Sequence, residues 1–134
     1  MSENPLVKKL KIKPGQRIIV LNPPSGYIAK LKDLPDGVEL VSELDGTFDF
    51  IQLFVNNVAE LEEFAPKAIN ALKYDGIFWI CYPKRSSKIK TDINRDVGWE
   101  VIDRVNLKGV AQISIDETWS ALRFRPADRV GVKQ

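Results

Sequence analysis

Lys13-Pro14-Gly15-Gln16-Arg17-Ile18-Ile19-Val20-Leu21 runs directly into Asn22-Pro23-Pro24-Ser25-Gly26-Tyr27. The first stretch is a Pro-Gly turn feeding consecutive apolar residues, the pattern of a strand buried on both faces at the centre of a parallel sheet. In a cofactor-binding α/β protein, the residues after such a strand supply glycines and open a helix, whose N–H groups receive a charged group. Here Pro23 and Pro24 remove backbone donors and stiffen the loop, and Gly26 arrives late. The stretch predicts an α/β scaffold and, at the same place, a departure from its usual loop.

Working outward, Pro5 to Leu10 reads as a short helix that docks Leu6, Val7 and Leu10. Residues 25–34 read as another, with Tyr27, Ile28 and Leu31 on one face. Pro35-Asp36-Gly37 ends it, and 38–41 form a second strand. Residues 48–55 are a strongly apolar third strand. Asn57, with Glu60 three residues on, has the form of a capping box. Val58, Leu61, Ala65, Ala68, Ile69 and Leu72 follow at helical spacing, and Pro66 should kink that helix or start a second one. Tyr74-Asp75-Gly76 reads as a turn into a fourth strand at 77–82. Pro83 to Lys90 is a basic loop, Thr91 or Asp92 can cap a short helix, and 100–105 form a further helix with Val101, Ile102 and Val105 inward. Residues 110–115 and 118–125 alternate apolar and polar about Asp116-Glu117, which predicts a tight hairpin. The whole is one domain, residues 1–134, with tails at 1–4 and 127–134. Its class is three-layer α/β, with a mainly parallel sheet and a C-terminal antiparallel hairpin.

The 134 residues include no histidine and one cysteine, Cys81. That removes Ser-His-Asp and Cys-His nucleophile pairs and most zinc sites. Cys81 lies inside the fourth strand and reads as a buried structural thiol. A mean hydropathy of -0.18, no long apolar run and an N-terminus without an apolar core segment point away from a membrane span or signal peptide and toward the cytoplasm. Net charge is +2, yet nine acidic residues and no Lys or Arg fall between Asp33 and Glu63. Five basic residues against Asp92 alone fall between Lys84 and Arg95, and five more with no acid between Lys8 and Arg17. Such a polarised surface can steer a charged ligand, a protein partner or a second copy. Near-neutral overall charge makes nucleic acid a poor fit.

Three stretches together carry a resemblance: Ile12 to Leu21, Ala71-Leu72-Lys73-Tyr74-Asp75-Gly76-Ile77-Phe78-Trp79-Ile80, and Ile113 to Arg125. Their order and spacing resemble the Rossmann-like fold of S-adenosylmethionine-dependent methyltransferases, and short bacterial proteins with a truncated form of it. The resemblance implies S-adenosylmethionine as cofactor, a glycine-rich turn after the first strand, and an acidic residue at the end of the second to hold the ribose. Only Gly26 stands for the first, and Glu43 is nearest to the second. The chain is also short of a strand–helix unit. Asn22-Pro23-Pro24 resembles the Asn-Pro-Pro-aromatic loop of amino-group methyltransferases, but Ser25 occupies the fourth place and the loop follows the first strand, not the fourth. A rigid turn is the reading taken.

Ligands of open parallel sheets sit beyond the carboxyl ends of the strands. That rule selects Asn22, Ser25, Gly26, Glu43 and Asn56 as cofactor-binding candidates. It also selects Lys84, Arg85, Ser86, Ser87, Lys88 and Lys90 as an anion site, where cations interleave with hydroxyls and Tyr82 offers a stacking face. No metal or catalytic set is expected. Three functions follow: a non-catalytic binding or interaction module, a small S-adenosylmethionine-dependent methyltransferase with an atypical loop, and a phosphate- or nucleotide-binding protein using residues 84–90.

Overall fold

In the computed structural model, residues 4–94 and 97–129 are described. A six-stranded sheet has the order β2-β1-β3-β4-β6-β5. Its strands are β1 (Arg17–Leu21), β2 (Glu39–Val41), β3 (Phe48–Phe54), β4 (Leu72–Pro83), β5 (Leu107–Ser114) and β6 (Trp119–Pro126). The first four run parallel, and β6 pairs antiparallel with both β4 and β5. The helices are α1 (Pro5–Leu10), α2 (Val58–Ala71) and α3 (Glu100–Asp103). This is the mixed α/β, Rossmann-like architecture that the sequence predicts.

Alternation along the central strands divides the core in two. Ile19, Ile51, Leu53, Phe78 and Ile80 meet α2 and α3 on one face. Ile18, Phe50, Phe54, Trp79 and Cys81 meet α1, Tyr27 and Leu31 on the other. α1 is fixed at both ends. Asn4 accepts the Leu6 N–H at 3.0 Å, and Trp79 Nε1 donates to Leu10 O at 2.9 Å.

The first crossover holds less helix than the sequence predicts, and the second is short. Residues 25–34 hold only a 3-10 turn, Ile28–Lys30. Gly26 sits at φ 83, Tyr27 and Leu31 are buried, and Ile28 points outward at 42% exposure, so three apolar residues do not share a helical face. Residues 42–47 carry the chain from β2 over β1 to β3, well under the dozen or so residues usual between parallel strands. Arg17 secures that crossing: its Nη1 donates to Thr47 O at 2.8 Å, and its N–H donates to Asp49 Oδ2 at 2.8 Å. Gly46 sits at φ 77, a backbone conformation that favours glycine, with the Arg17 guanidinium 3.2 Å from where a Cβ would stand.

Other elements also differ from expectation. α2 continues past Pro66, which is exposed, so the carbonyl that loses its partner faces water. Tyr74-Asp75-Gly76 bulges within β4: Leu72 pairs Phe48 and Ile77 pairs Phe50, with Asp75 at φ 57. Neither Thr91 nor Asp92 begins a helix; Asp92 Oδ1 instead accepts the Val58 N–H of α2 at 2.8 Å. α3 ends at Asp103, leaving Val105 44% exposed. Asp116 Oδ1 accepts from the Thr118 and Trp119 N–H groups at 2.8 and 2.9 Å, closing the hairpin on a longer turn than expected. Ala127–Arg129 form a 3-10 turn, tied by Ala127 N to Asn106 O at 2.7 Å. The remaining expected tail residues, 1–3 and 130–134, lie outside the described residues.

Candidate functional site

The strand order reverses between β1 and β3, because β1 leads outward to β2 while β3 leads the other way to β4. That crevice is where a doubly wound sheet takes its ligand. Here the chain's own side chains bridge it. Asn22, at φ 55, donates its amide to Phe54 O at 2.9 Å and to Glu60 Oε1 at 3.3 Å. Asn56 donates to the same oxygen from its N–H at 2.7 Å and its side chain at 2.9 Å. Asn22 and Asn56 are thus brought together, through Glu60. Ser25, Gly26 and Glu43 are exposed and join no hydrogen bond to that pair among the described residues.

The N-terminus of α2 is also occupied from within. Asn57 Oδ1 accepts the Glu60 N–H at 2.9 Å, and Asp92 accepts that of Val58. Glu60 returns to the N–H of Asn56, one residue before the position that a capping box would use. The cap expected at Asn57 is present, but no free N–H array faces the crevice.

S-adenosylmethionine finds a poor match at the first turn. Pro23 and Pro24 offer no N–H, only a 3-10 turn and no α-helix follows β1, and the Asn22 amide is engaged. Among the described residues, no group of three His, Cys, Asp or Glu side chains is placed to hold a metal ion.

The carboxyl end of β4 is different. The loop after Pro83 straddles the sheet, with Ile89 against the α1-side core and Ile93 against the α2-side core. Two open depressions meet there. One, of about 330 Å³, is lined by Tyr82, Lys84, Arg85, Asn94, Gln112 and Ser120. The other, of about 310 Å³, shares Lys84, Arg85 and Asn94 and adds Lys90 and Thr91. The backbone of Lys84 is held by its N–H to Thr118 O at 2.7 Å, and Lys84 Nζ donates to Ser114 Oγ at 2.7 Å. Arg85 is exposed. Ser87 Oγ is used within the loop, accepting the Ile89 N–H at 3.4 Å. Ser86 and Lys88 are exposed and line neither depression.

Beneath the depressions Tyr82 is 4% exposed. Its hydroxyl accepts from Gln112 Nε2 at 3.0 Å, and its ring meets Trp99 edge-on at 5.6 Å. Trp99 Nε1 donates to Asn94 O at 2.8 Å. Tyr82 is a buried support here, not the open stacking face that the sequence suggests. Gln112, Asn94 and Thr91 were not among the sequence candidates. Gln112 lies on the hairpin and Asn94 follows the loop, so only the folded sheet places them beside Lys84.

A third cavity, of about 490 Å³, lies at the amino end of β4 between Leu72, Val105, Leu107 and Phe124. Its charged groups are engaged: Lys73 pairs with Asp49 at 2.9 Å, Asp75 with Arg125 at 2.7 Å, and Asp128 accepts from the Tyr74 hydroxyl at 2.7 Å. It is also at the far end from the carboxyl edge.

No family model matches this sequence, and no curated protein matches it. Solved structures do. The Methanococcus jannaschii fibrillarin pre-rRNA processing protein superposes with a TM-score of 0.62 at 14% identity, over 87% of this chain and 68% of that one. The ribosomal protein L11 methylase of Lactobacillus delbrueckii subsp. bulgaricus gives 0.58 at 13% identity, over 90% and 74%. A SAM-dependent methyltransferase of Aquifex aeolicus gives 0.57 at 14% identity, over 89% and 86%. The chain has the Rossmann-like fold of the S-adenosylmethionine-dependent methyltransferases.

Proposed function

We propose that this protein is a small-ligand-binding domain on a methyltransferase-like scaffold, and that its ligand is anionic and held after β4 by Lys84 and Arg85. The observation that carries this reading is the pair of adjoining depressions at the carboxyl edge, with both cations on their shared rim. An arginine fork and a lysine point charge suit phosphate or carboxylate oxygens, and Lys90 and Thr91 extend the same surface.

Arg85→Ala is the cleaner variant, because Arg85 is exposed whereas Lys84 also holds Ser114. Pyrophosphate is a suitable probe, read by thermal unfolding. At about 100 times its dissociation constant it adds roughly 2.7 kcal/mol, a melting shift of several degrees for a domain of this size. The shift should shrink in Arg85→Ala, and the affinity should fall with added salt. No saturable shift, or one indifferent to Arg85 and salt, rejects the site.

Methyl transfer is the second reading. The shared fold favours it over a domain without chemistry. It needs S-adenosylmethionine to be taken despite Pro23 and Pro24, with Asn22, Ser25, Gly26, Glu43 and Asn56 as the nearest residues. A saturable shift with S-adenosylmethionine that survives Arg85→Ala supports it. No shift at millimolar concentration leaves the scaffold without that cofactor. A cytoplasmic location, expected from the lone cysteine, suits either reading. No described helix is long and apolar enough to cross a membrane.

A further inference from the structure

We infer that the anion held by Lys84 and Arg85 is the phosphate monoester of a small polyol, whose hydroxyls meet Ser120 and Gln112; this deepens the anion-site reading and rests on it. Ser120, on β6, is 9% exposed and lines the depression beside Lys84 and Arg85. Its hydroxyl makes no hydrogen bond among the described residues. Hydroxyls buried to that degree ordinarily have a partner. Others nearby do. Ser114 Oγ accepts from Lys84 Nζ and donates to Asp116 O at 3.3 Å. Ser87 Oγ and Thr91 Oγ1 accept backbone N–H groups of their own loop. Ser120 instead opens onto the depression, so its partner must come from there.

The surrounding groups set the chemical class. Lys84 and Arg85 border both adjoining depressions and Lys90 borders one, while no described carboxylate lines either. Unopposed cations suit the double negative charge of a phosphate monoester better than the single charge of a diester. The same lack of a carboxylate disfavours a ligand that carries an amine. The neutral groups suit hydroxyls. Ser120 can donate and accept, and Gln112, having given an amide N–H to Tyr82, keeps its oxygen as an acceptor. Tyr82 and Trp99 are buried and meet each other edge-on, so no open ring face is offered to a base. The body of the ligand is hydrogen-bonded, not stacked.

The test compares glycerol 3-phosphate with methyl phosphate, which has the same charged end and no hydroxyls, by NMR titration of the wild-type chain, Ser120→Ala and Arg85→Ala. The same spectra check that each variant keeps the fold. Glycerol 3-phosphate should bind roughly tenfold tighter than methyl phosphate, the scale of one well-made hydrogen bond. Ser120→Ala should bring glycerol 3-phosphate down to the affinity of methyl phosphate and leave methyl phosphate unchanged. Arg85→Ala should weaken both alike. Equal affinity for the two esters in the wild type, or a preference that persists in Ser120→Ala, overturns the polyol reading while leaving the anion site standing. So does failure of both esters where pyrophosphate still binds. Failure of all three overturns the anion site and the polyol reading with it.

Discussion

Tyr27, Gln52 and Cys81 form a sealed polar chain inside an apolar core. The Tyr27 hydroxyl donates to Gln52 Oε1 at 2.9 Å, and Gln52 Nε2 donates to Cys81 Sγ at 3.2 Å. Gln52 is wholly buried and Tyr27 is 1% exposed. Tyr27→Phe leaves the Gln52 oxygen without its donor and should cost about 1–3 kcal/mol in a denaturant titration. The Tyr27 ring also packs on Phe54 at 4.6 Å, and Phe54 on Trp119 at 5.1 Å, so the loop after β1 is pinned by apolar contact as well. Burial, opposed by the Gln52 hydrogen bond, pushes the Cys81 thiol up to about 12. The folded protein should therefore resist a thiol reagent at neutral pH and react only on unfolding. Fast labelling under native conditions would contradict the placement of Cys81. That Cys81 is buried was legible from its strand; its bond to Gln52 was not, because the partner lies on another strand at a register that only pairing sets.

At the scale of elements, the best-read parts were those whose signal is local. β1, α1, β3 and α2 follow from apolar runs, caps and helical spacing within a few residues. The misread parts depend on distant groups. Residues 25–34 have the apolar content of a helix, yet the burial of Tyr27 against β3 decides their path. Asp92 looks like the cap of its own helix and caps α2 instead. Asn57→Ala should cost α2 about 1 kcal/mol, and Asp92→Ala should cost a comparable amount despite standing far away in sequence. A change in chemical denaturation midpoint with no change in slope is the expected reading for both. Asp116 plays the equivalent part for the hairpin. Burial raises its pKa, but the N–H groups of Thr118 and Trp119 and the Lys30 ammonium outweigh that and hold it below the usual carboxylate value. Asp116→Ala should loosen the β5–β6 turn and cost about 1–2 kcal/mol.

For the whole molecule, these groups set where stability is lost with pH. Asp116 and Asp49 titrate below their ordinary 3.8 in the fold, Asp49 chiefly through the Arg17 N–H. Their contribution is present above the unfolded pKa and lost as pH falls through the folded one. Tyr27 and Cys81 titrate higher in the fold than their ordinary 10.0 and 9.0. Their contribution is complete below those values and lost as pH rises beyond them. With no histidine, stability should be level through neutrality, falling in acid below about pH 4 and in alkali above about pH 9. Tyr27→Phe should flatten part of the alkaline limb, and an unchanged limb would argue against its buried hydroxyl. The sheet and its hairpin were visible in the sequence as a series of periodic runs. The depressions after β4 were not, because Lys84, Asn94 and Gln112 come from different segments that meet only when β4, β5 and β6 pair. β3 shows what such pairing must solve. It is apolar on both faces, so sliding it by one residue would still bury oil against oil and hydrophobicity alone would scarcely object. Gln52 does object: moved to the other face, its amide would meet no hydroxyl and no thiol. A single polar residue thus proofreads the alignment of the central strand, and replacing it with leucine should leave a protein that is collapsed but less certain of its own register.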